Sequence, residues 1–158
     1  MTITINEELS LQLLNAGHAQ ELYELAESNR EYLARWLTWL PYMENVGFIE
    51  NFIIGSKQRN KEGNEFAFVI IINDSIIGRI GIFKIDHQSK IGEIGYWIGK
   101  DFEGRGIAKK CCQKLIEYGF NELNLNRIEM KCGVDNHKSR YIPEKLNFTL
   151  EGILRQAE

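Results

Sequence analysis

A glycine-rich turn between a strand-like run and a helix-like run constrains this chain more than any other feature. Tyr96-Trp97-Ile98 leads into Gly99-Lys100-Asp101-Phe102-Glu103-Gly104-Arg105-Gly106, and Ile107-Ala108-Lys109-Lys110 then opens a segment with Cys111, Leu115 and Gly119 at helical spacing. Glycine carries no Cβ, so the backbone at Gly104 and Gly106 can approach a ligand closely. The first amides of the helix that follows have no intrahelical partner, and the helix dipole favours negative charge there. Such a turn is a site for an anion, above all a phosphate.

Two familiar phosphate loops do not fit. The chain has no Gly-x-x-x-x-Gly-Lys-Ser/Thr string, and a Gly-x-Gly-x-x-Gly pattern fails at Lys109. The dinucleotide loop also follows the first strand of its βαβ unit, whereas here several hairpin-like runs come first. A dinucleotide-binding domain is therefore a weak alternative.

The chain has 158 residues, 44% of them hydrophobic, enough for one domain with a real core. A formal charge of −3 argues against general nucleic-acid binding, and no apolar run reaches bilayer length. Met1 to Asn6 lacks the basic and apolar blocks of a secretory signal. Three cysteines, two of them adjacent at Cys111-Cys112, make a poor disulfide framework and point to a reducing, cytoplasmic setting. His18, His87 and His137 show no metal-ligand spacing, so no metal is expected.

The periodicity gives a mixed α/β order. A strand is expected at Leu9 to Leu13, helix from Ala16 to Leu40 broken near Ser28-Asn29 and ended by Pro41, and a second helix from Val46 to Arg59. Phe66 to Ile72, Ile76 to Ile85 and Ile91 to Ile98 read as an antiparallel meander, with Asn73-Asp74 as its first turn. After the glycine turn come a helix from Gly106 to Glu122, a strand from Arg127 to Val134, a short helix from His137 to Leu146 interrupted by Pro143, and a last strand from Phe148 to Leu154. Only the later crossover would be parallel.

The element order and the string Glu103-Gly104-Arg105-Gly106-Ile107-Ala108 resemble the GNAT family of acyl-CoA N-acetyltransferases, with Glu103 where that family usually has Gln or Arg. The blocks Glu93-Ile94-Gly95-Tyr96-Trp97-Ile98, Asn136-His137-Lys138-Ser139 and Glu144-Lys145-Leu146-Asn147-Phe148 resemble its ribosomal-protein N-terminal (Rim-type) branch. The resemblance implies a single GNAT domain over residues 1–158, with a central, mostly antiparallel sheet and flanking helices. The family normally adds one more strand, so the chain reads as C-terminally truncated. An edge left open in this way would invite a homodimer.

The resemblance also implies roles. Amides around Gly104, Arg105, Gly106, Ile107 and Ala108 would hold the pyrophosphate of acetyl-CoA, with Lys109 or Lys110 near an outer phosphate. Ile98 would run beside the pantetheine arm, and Asn136 would bind it. Ser139 occupies the position of the proton donor to the departing CoA thiolate. Glu158, in Arg155-Gln156-Ala157-Glu158, matches the general base, with Glu93 as the alternative through a water chain. Trp36, Trp39 and Tyr96 would line the acceptor side, although the shared helical face of the two tryptophans reads first as core packing. The expected reaction is direct acetyl transfer to a primary amine, most naturally a protein N-terminus. Such an amine has a pKa of about 7.7–8.0 against about 10.4 for lysine, so it asks less of a base. Polyamines, amino acids and aminoglycosides are alternative acceptors, and a CoA-binding module without catalysis is an alternative class.

Overall fold

A computed structural model describes residues 1–155. Glu158 lies outside these described residues. Six strands, β1 (Thr2–Thr4), β2 (Leu9–Leu13), β3 (Phe66–Ile72), β4 (Ser75–Asp86), β5 (Ile91–Ile98) and β6 (Arg127–Met130), form one sheet in sequence order. The helices are α1 (Ala19–Ser28), α2 (Arg30–Leu33), α3 (Val46–Lys61), α4 (Ile107–Asn121) and α5 (His137–Lys145). All neighbouring strands are antiparallel except β5 and β6, which are parallel because α4 connects them.

Alternation along the strands builds a core on each side of the sheet. Phe68 and Ile70 of β3, Ile80 and Ile82 of β4 and Ile94 and Ile98 of β5 pack with Cys111, Cys112 and Leu115 of α4. Ala67 and Val69 of β3 and Trp97 of β5 face the other way, against Leu22 and Ala26 of α1 and Ile49 and Ile53 of α3. Each fully buried Leu or Ile here is worth about 1.5–3 kcal/mol relative to exposure. The two layers together therefore fix the strand register.

Local chemistry sets the ends of these elements. Asn73 and Asp74 both have positive φ, 46° and 68°, the conformation of a tight hairpin turn between β3 and β4. Asn45 caps α3 by accepting from the Gly47 amide at 2.9 Å. Gly78 of β4 lies so close to β5 that a Cβ there would meet the Trp97 carbonyl oxygen at 2.3 Å.

Thr2–Thr4, where the sequence suggests no strand, is a strand too short for its period to show. Three expectations need correction. The expected break at Ser28-Asn29 is present, but the helical stretch then ends at Leu33, short of Pro41, and Leu40–Tyr42 is a separate 3₁₀ turn that contains Pro41. β6 stops at Met130 rather than Val134. Phe148 to Leu154 forms no strand; Leu150, Ile153 and Leu154 are exposed, so the alternation there has no covered face to serve.

Candidate active site

Gly104 and Gly106 adopt φ of 74° and 73°, which L side chains rarely tolerate. Nothing lies within 4 Å of a Cβ built on either one, so the turn has open space above it. Gly106 is the N-cap of α4, with no side-chain cap and no acidic residue in the first turn. The first helical bond runs from the Lys110 amide to the Gly106 carbonyl at 3.1 Å. The amides of Ile107, Ala108 and Lys109 before it therefore point out of the helix end. Lys109 is half-buried, while Lys110 lines a shallow groove with Ile5 and Lys114 on the far side of α4. Arg105 is exposed and lies 5.4 Å from the Phe102 ring.

Several residues outside the sequence motif hold this turn. The Gly99 amide donates to Ile77 O at 2.8 Å, and the Lys100 amide donates to Asn29 Oδ1 at 2.9 Å. Asn29, which reads in the sequence only as a helix break, thus ties the α1–α2 junction to the loop. Glu103 is ion-paired with Lys138 of α5. Lys138 and Lys100 each lie 5.9 Å from the Tyr32 ring. No sequence signal marks Asn29, Tyr32 or Lys138 as a partner of the turn, because each acts on a residue far away in the chain.

Beside the turn, the sheet opens. The β5–β6 pairing ends at Ile94 with Met130, yet β5 continues to Ile98. The last four residues of β5 therefore offer unpaired backbone groups on that side, where an extended ligand can pair as an added strand.

The two faces of this slot differ. On the α4 side, Tyr96 Oη lies 3.2 Å from Ser139 Oγ. Asn136 caps α5 by accepting from the Ser139 amide at 3.3 Å, which fixes Ser139. Burial pushes the Tyr96 phenol up to about 12, partly offset by its bond to Ser139, so the hydroxyl keeps its proton at neutral pH. Tyr96 is thus brought together with Ser139 rather than with the tryptophans.

On the α1–α3 side, Trp36 packs against Gly133, where an added Cβ would sit 3.6 Å from its ring. Trp39 stacks on Phe48 at 5.9 Å and tilts against Trp97 at 6.4 Å. Glu93 follows the same strand alternation as Trp97 and is paired with Lys131 at 3.4 Å and Lys84 at 3.8 Å. Cys111 and Cys112 are fully buried, and burial raises both thiols, Cys111 to about 12, which makes them poor nucleophiles. Among the described residues no group of three His, Cys, Asp or Glu side chains could hold a metal ion.

A strand edge opened beside an uncapped helix N-terminus is the arrangement that an acyl-CoA ligand requires, and comparison with known proteins agrees. The family model described as an acetyltransferase (GNAT) domain matches residues 8–149. The chain belongs to the GNAT acetyltransferase family. It is 36% identical over 155 residues, 98% of this chain and 85% of the relative, to YdaF of Bacillus subtilis (strain 168), whose name carries a provisional ribosomal N-acetyltransferase designation. It is 32% identical over 157 residues to the ribosomal-protein-serine acetyltransferase of Escherichia coli (strain K12), covering 99% of this chain and 88% of that one. Among solved structures, RimL, a ribosomal L7/L12 alpha-N-protein acetyltransferase in complex with coenzyme A, superposes with a TM-score of 0.96 at 26% identity, covering 100% of this chain and 89% of that chain. This GNAT chain thus has the mixed sheet and flanking helices of a Rim-type N-acetyltransferase.

Proposed function

We propose that this GNAT enzyme transfers an acetyl group from acetyl-CoA to the N-terminal α-amino group of a ribosomal protein. The observation that carries this reading is the slot between β5 and β6 with the uncapped α4 N-terminus at its end. The residues present fit the co-substrate: the amides of Ile107, Ala108 and Lys109 suit the pyrophosphate, and the free edge of Gly95–Ile98 suits the amide-bearing pantetheine arm. The likeness to RimL, whose solved structure contains coenzyme A, supports the same choice.

The two faces divide the chemistry. Ser139, oriented by Asn136 and backed by the protonated Tyr96, stands on the α4 side as proton donor to the departing thiolate. A thiol has a pKa of about 8.5, so this donor need not be strong. A backbone amide near Ile98 would stabilise the developing oxyanion. The acceptor enters over Trp36 and Trp39. Its proton leaves to Glu158, with Glu93 as a base working through water. Glu158→Gln is expected to lower kcat far more than it raises KM; unchanged activity across the pH range would remove Glu158 from the mechanism.

A polyamine acceptor is the weaker reading. A polycation needs carboxylates, and among the described residues the cleft between Trp39, Phe52 and Trp97 is lined by Arg79 and no acidic residue. The test is thiol release from acetyl-CoA with a serine-starting ribosomal-protein peptide and with spermidine. The proposal expects transfer to the peptide α-amine, located by mass fragmentation. Preferential acetylation of spermidine, or tight CoA binding without turnover on any amine, would overturn it.

A further inference from the structure

Two consecutive residues at the α1–α2 junction bond to the two halves of the proposed site. Asn29 meets the cofactor turn: its Oδ1 accepts from the Lys100 amide at 2.9 Å, and its Nδ2 donates to Leu25 O at 2.9 Å. The fit there is close, because a Cβ on Gly99 would lie 3.2 Å from Leu25 Cδ1 and 3.5 Å from Asn29 Nδ2. The same short helix presents Tyr32, whose ring lies 5.9 Å from the Nζ of both Lys100 and Lys138.

Arg30 holds residues 34–45, the loop that carries Trp36 and Trp39. Its Nη1 donates to Leu40 O at 3.0 Å and its Nη2 to Met43 O. Its Nε and Nη2 also meet Glu27 Oε2 of α1 at 2.9 and 2.6 Å. Leu40 and Met43 are buried, so carbonyls there depend on donors from the protein. Among the described residues, every other hydrogen bond of residues 34–44 joins positions three or four apart. Arg30 reaches ten and thirteen positions along the chain, so among these bonds it alone ties the far end of the loop to the junction.

We propose that Asn29 and Arg30 are positioning residues that transmit occupancy of the glycine turn to the loop of residues 34–45, so that bound acetyl-CoA shapes the surface that receives the acceptor. A diphosphate on the turn fixes its backbone, and the Lys100 amide then fixes Asn29. The next residue, Arg30, sets the carbonyls of Leu40 and Met43, and with them Trp39 beside Leu40. A planar guanidinium suits this task, since its rigid fork holds two carbonyls and a carboxylate at fixed angles. Coupling of this kind is a free energy shared by the two sites, so each ligand must change the other's affinity by the same factor. This inference rests on the proposed acetyl transfer and names the residues that make acceptor binding depend on the cofactor.

One arm of the test needs no acceptor. Hydrogen exchange read by mass spectrometry follows the amides of residues 34–45 and 99–110 with and without CoA. In wild type, CoA is expected to slow exchange in both segments. In Asn29→Ala and Arg30→Met it slows only the turn. Asn29→Asp keeps an acceptor for the Lys100 amide and retains the effect on residues 34–45. The second arm measures CoA and a serine-starting ribosomal-protein peptide by calorimetry, each alone and with the other saturating; CoA has no acetyl group to transfer, so the complex is a dead end. Each ligand is expected to tighten the other about tenfold in wild type, and the factor falls towards one in Asn29→Ala and Arg30→Met. In turnover, Arg30→Met raises the acceptor KM more than it changes kcat or the KM for acetyl-CoA. Thermal unfolding checks that each variant is folded at the assay temperature; if Arg30→Met is not, Asn29→Ala decides. Protection of the turn without protection of residues 34–45 in wild type would overturn the inference. So would coupling that survives in Asn29→Ala, or a loss that falls equally on both ligands, which would leave the pair as structural supports. Failure of CoA to protect the turn itself would overturn the cofactor reading, and this inference with it.

Discussion

At the residue scale, Gly106 carries the largest conformational demand, because its φ of 73° places it in the left-handed region at the N-cap of α4. A β-branched residue there costs roughly 1–3 kcal/mol of strain and fills the space an anion needs. Gly106→Val is therefore expected to weaken CoA binding at least about tenfold by calorimetry while the fold persists by circular dichroism; undiminished affinity would remove the turn from the site. Ser139→Ala is expected to lower kcat by about 10- to 100-fold, the low end for a proton donor because the leaving thiol is already acidic. KM for acetyl-CoA should move little. Tyr96→Phe removes only the partner of Ser139 and should cost less. A larger loss in Tyr96→Phe than in Ser139→Ala would exchange their roles. The glycine turn at Gly104 and Gly106 and the helix start after Asn136 were legible in the sequence because their signals are local. The Tyr96–Ser139 contact was not, because it joins residues 43 positions apart.

At the element scale, the slot exists because β5 outruns its parallel partner by four residues and because β4 holds β5 closely. Gly78 makes that approach possible, since a Cβ would meet the Trp97 carbonyl oxygen at 2.3 Å and Ile98 Cα at 3.0 Å. Gly78→Ala must push β5 away, so it is expected to lower both the melting temperature and CoA affinity. A variant with wild-type affinity and stability would show that the spacing is not critical. The meander was readable in advance: β3 and β5 occupy the expected bounds, since β3 is an unbroken apolar run rich in isoleucine and both strands are bounded by turn residues. β1 and the end of β6 were not. A three-residue strand has no measurable period, and the length of β6 depends on a partner strand rather than on its own residues. The Lys100 amide's bond to Asn29 and the Glu103–Lys138 pair fasten the glycine turn to helices on both sides of the sheet, a link that only the folded chain reveals.

At the scale of the whole molecule, two apolar layers enclose the sheet, and the buried thiols of α4 remain protonated. Burial raises Cys111 from 9.0 to about 12, and raises Cys112 in the same direction. The unfolded chain gives up these protons first, so it binds fewer of them as pH rises. The contribution of Cys111 to stability is complete below pH 9 and is lost between about 9 and 12, at about 1.4 kcal/mol per pH unit. Urea unfolding under reducing conditions should show a lower midpoint at pH 10 than at pH 7.5, and Cys111→Ala should reduce that difference; equal midpoints would contradict the burial argument. The fold class and the glycine turn were legible from the chain, whereas the packing of Arg79, Trp97 and Phe52 was not, because they come from separate elements. The most direct test of the central claim, that the α4 N-terminus grips a diphosphate and so aims a thioester into the β5–β6 slot, is thermal unfolding with saturating CoA, NAD or pantetheine. Ligand at 100 times its Kd stabilises a fold by about 2.7 kcal/mol. The account predicts a clear rise in Tm with CoA, much less with pantetheine or NAD, and none with CoA in Gly106→Val. An equal rise with NAD, or no rise with CoA in the wild-type protein, would contradict it.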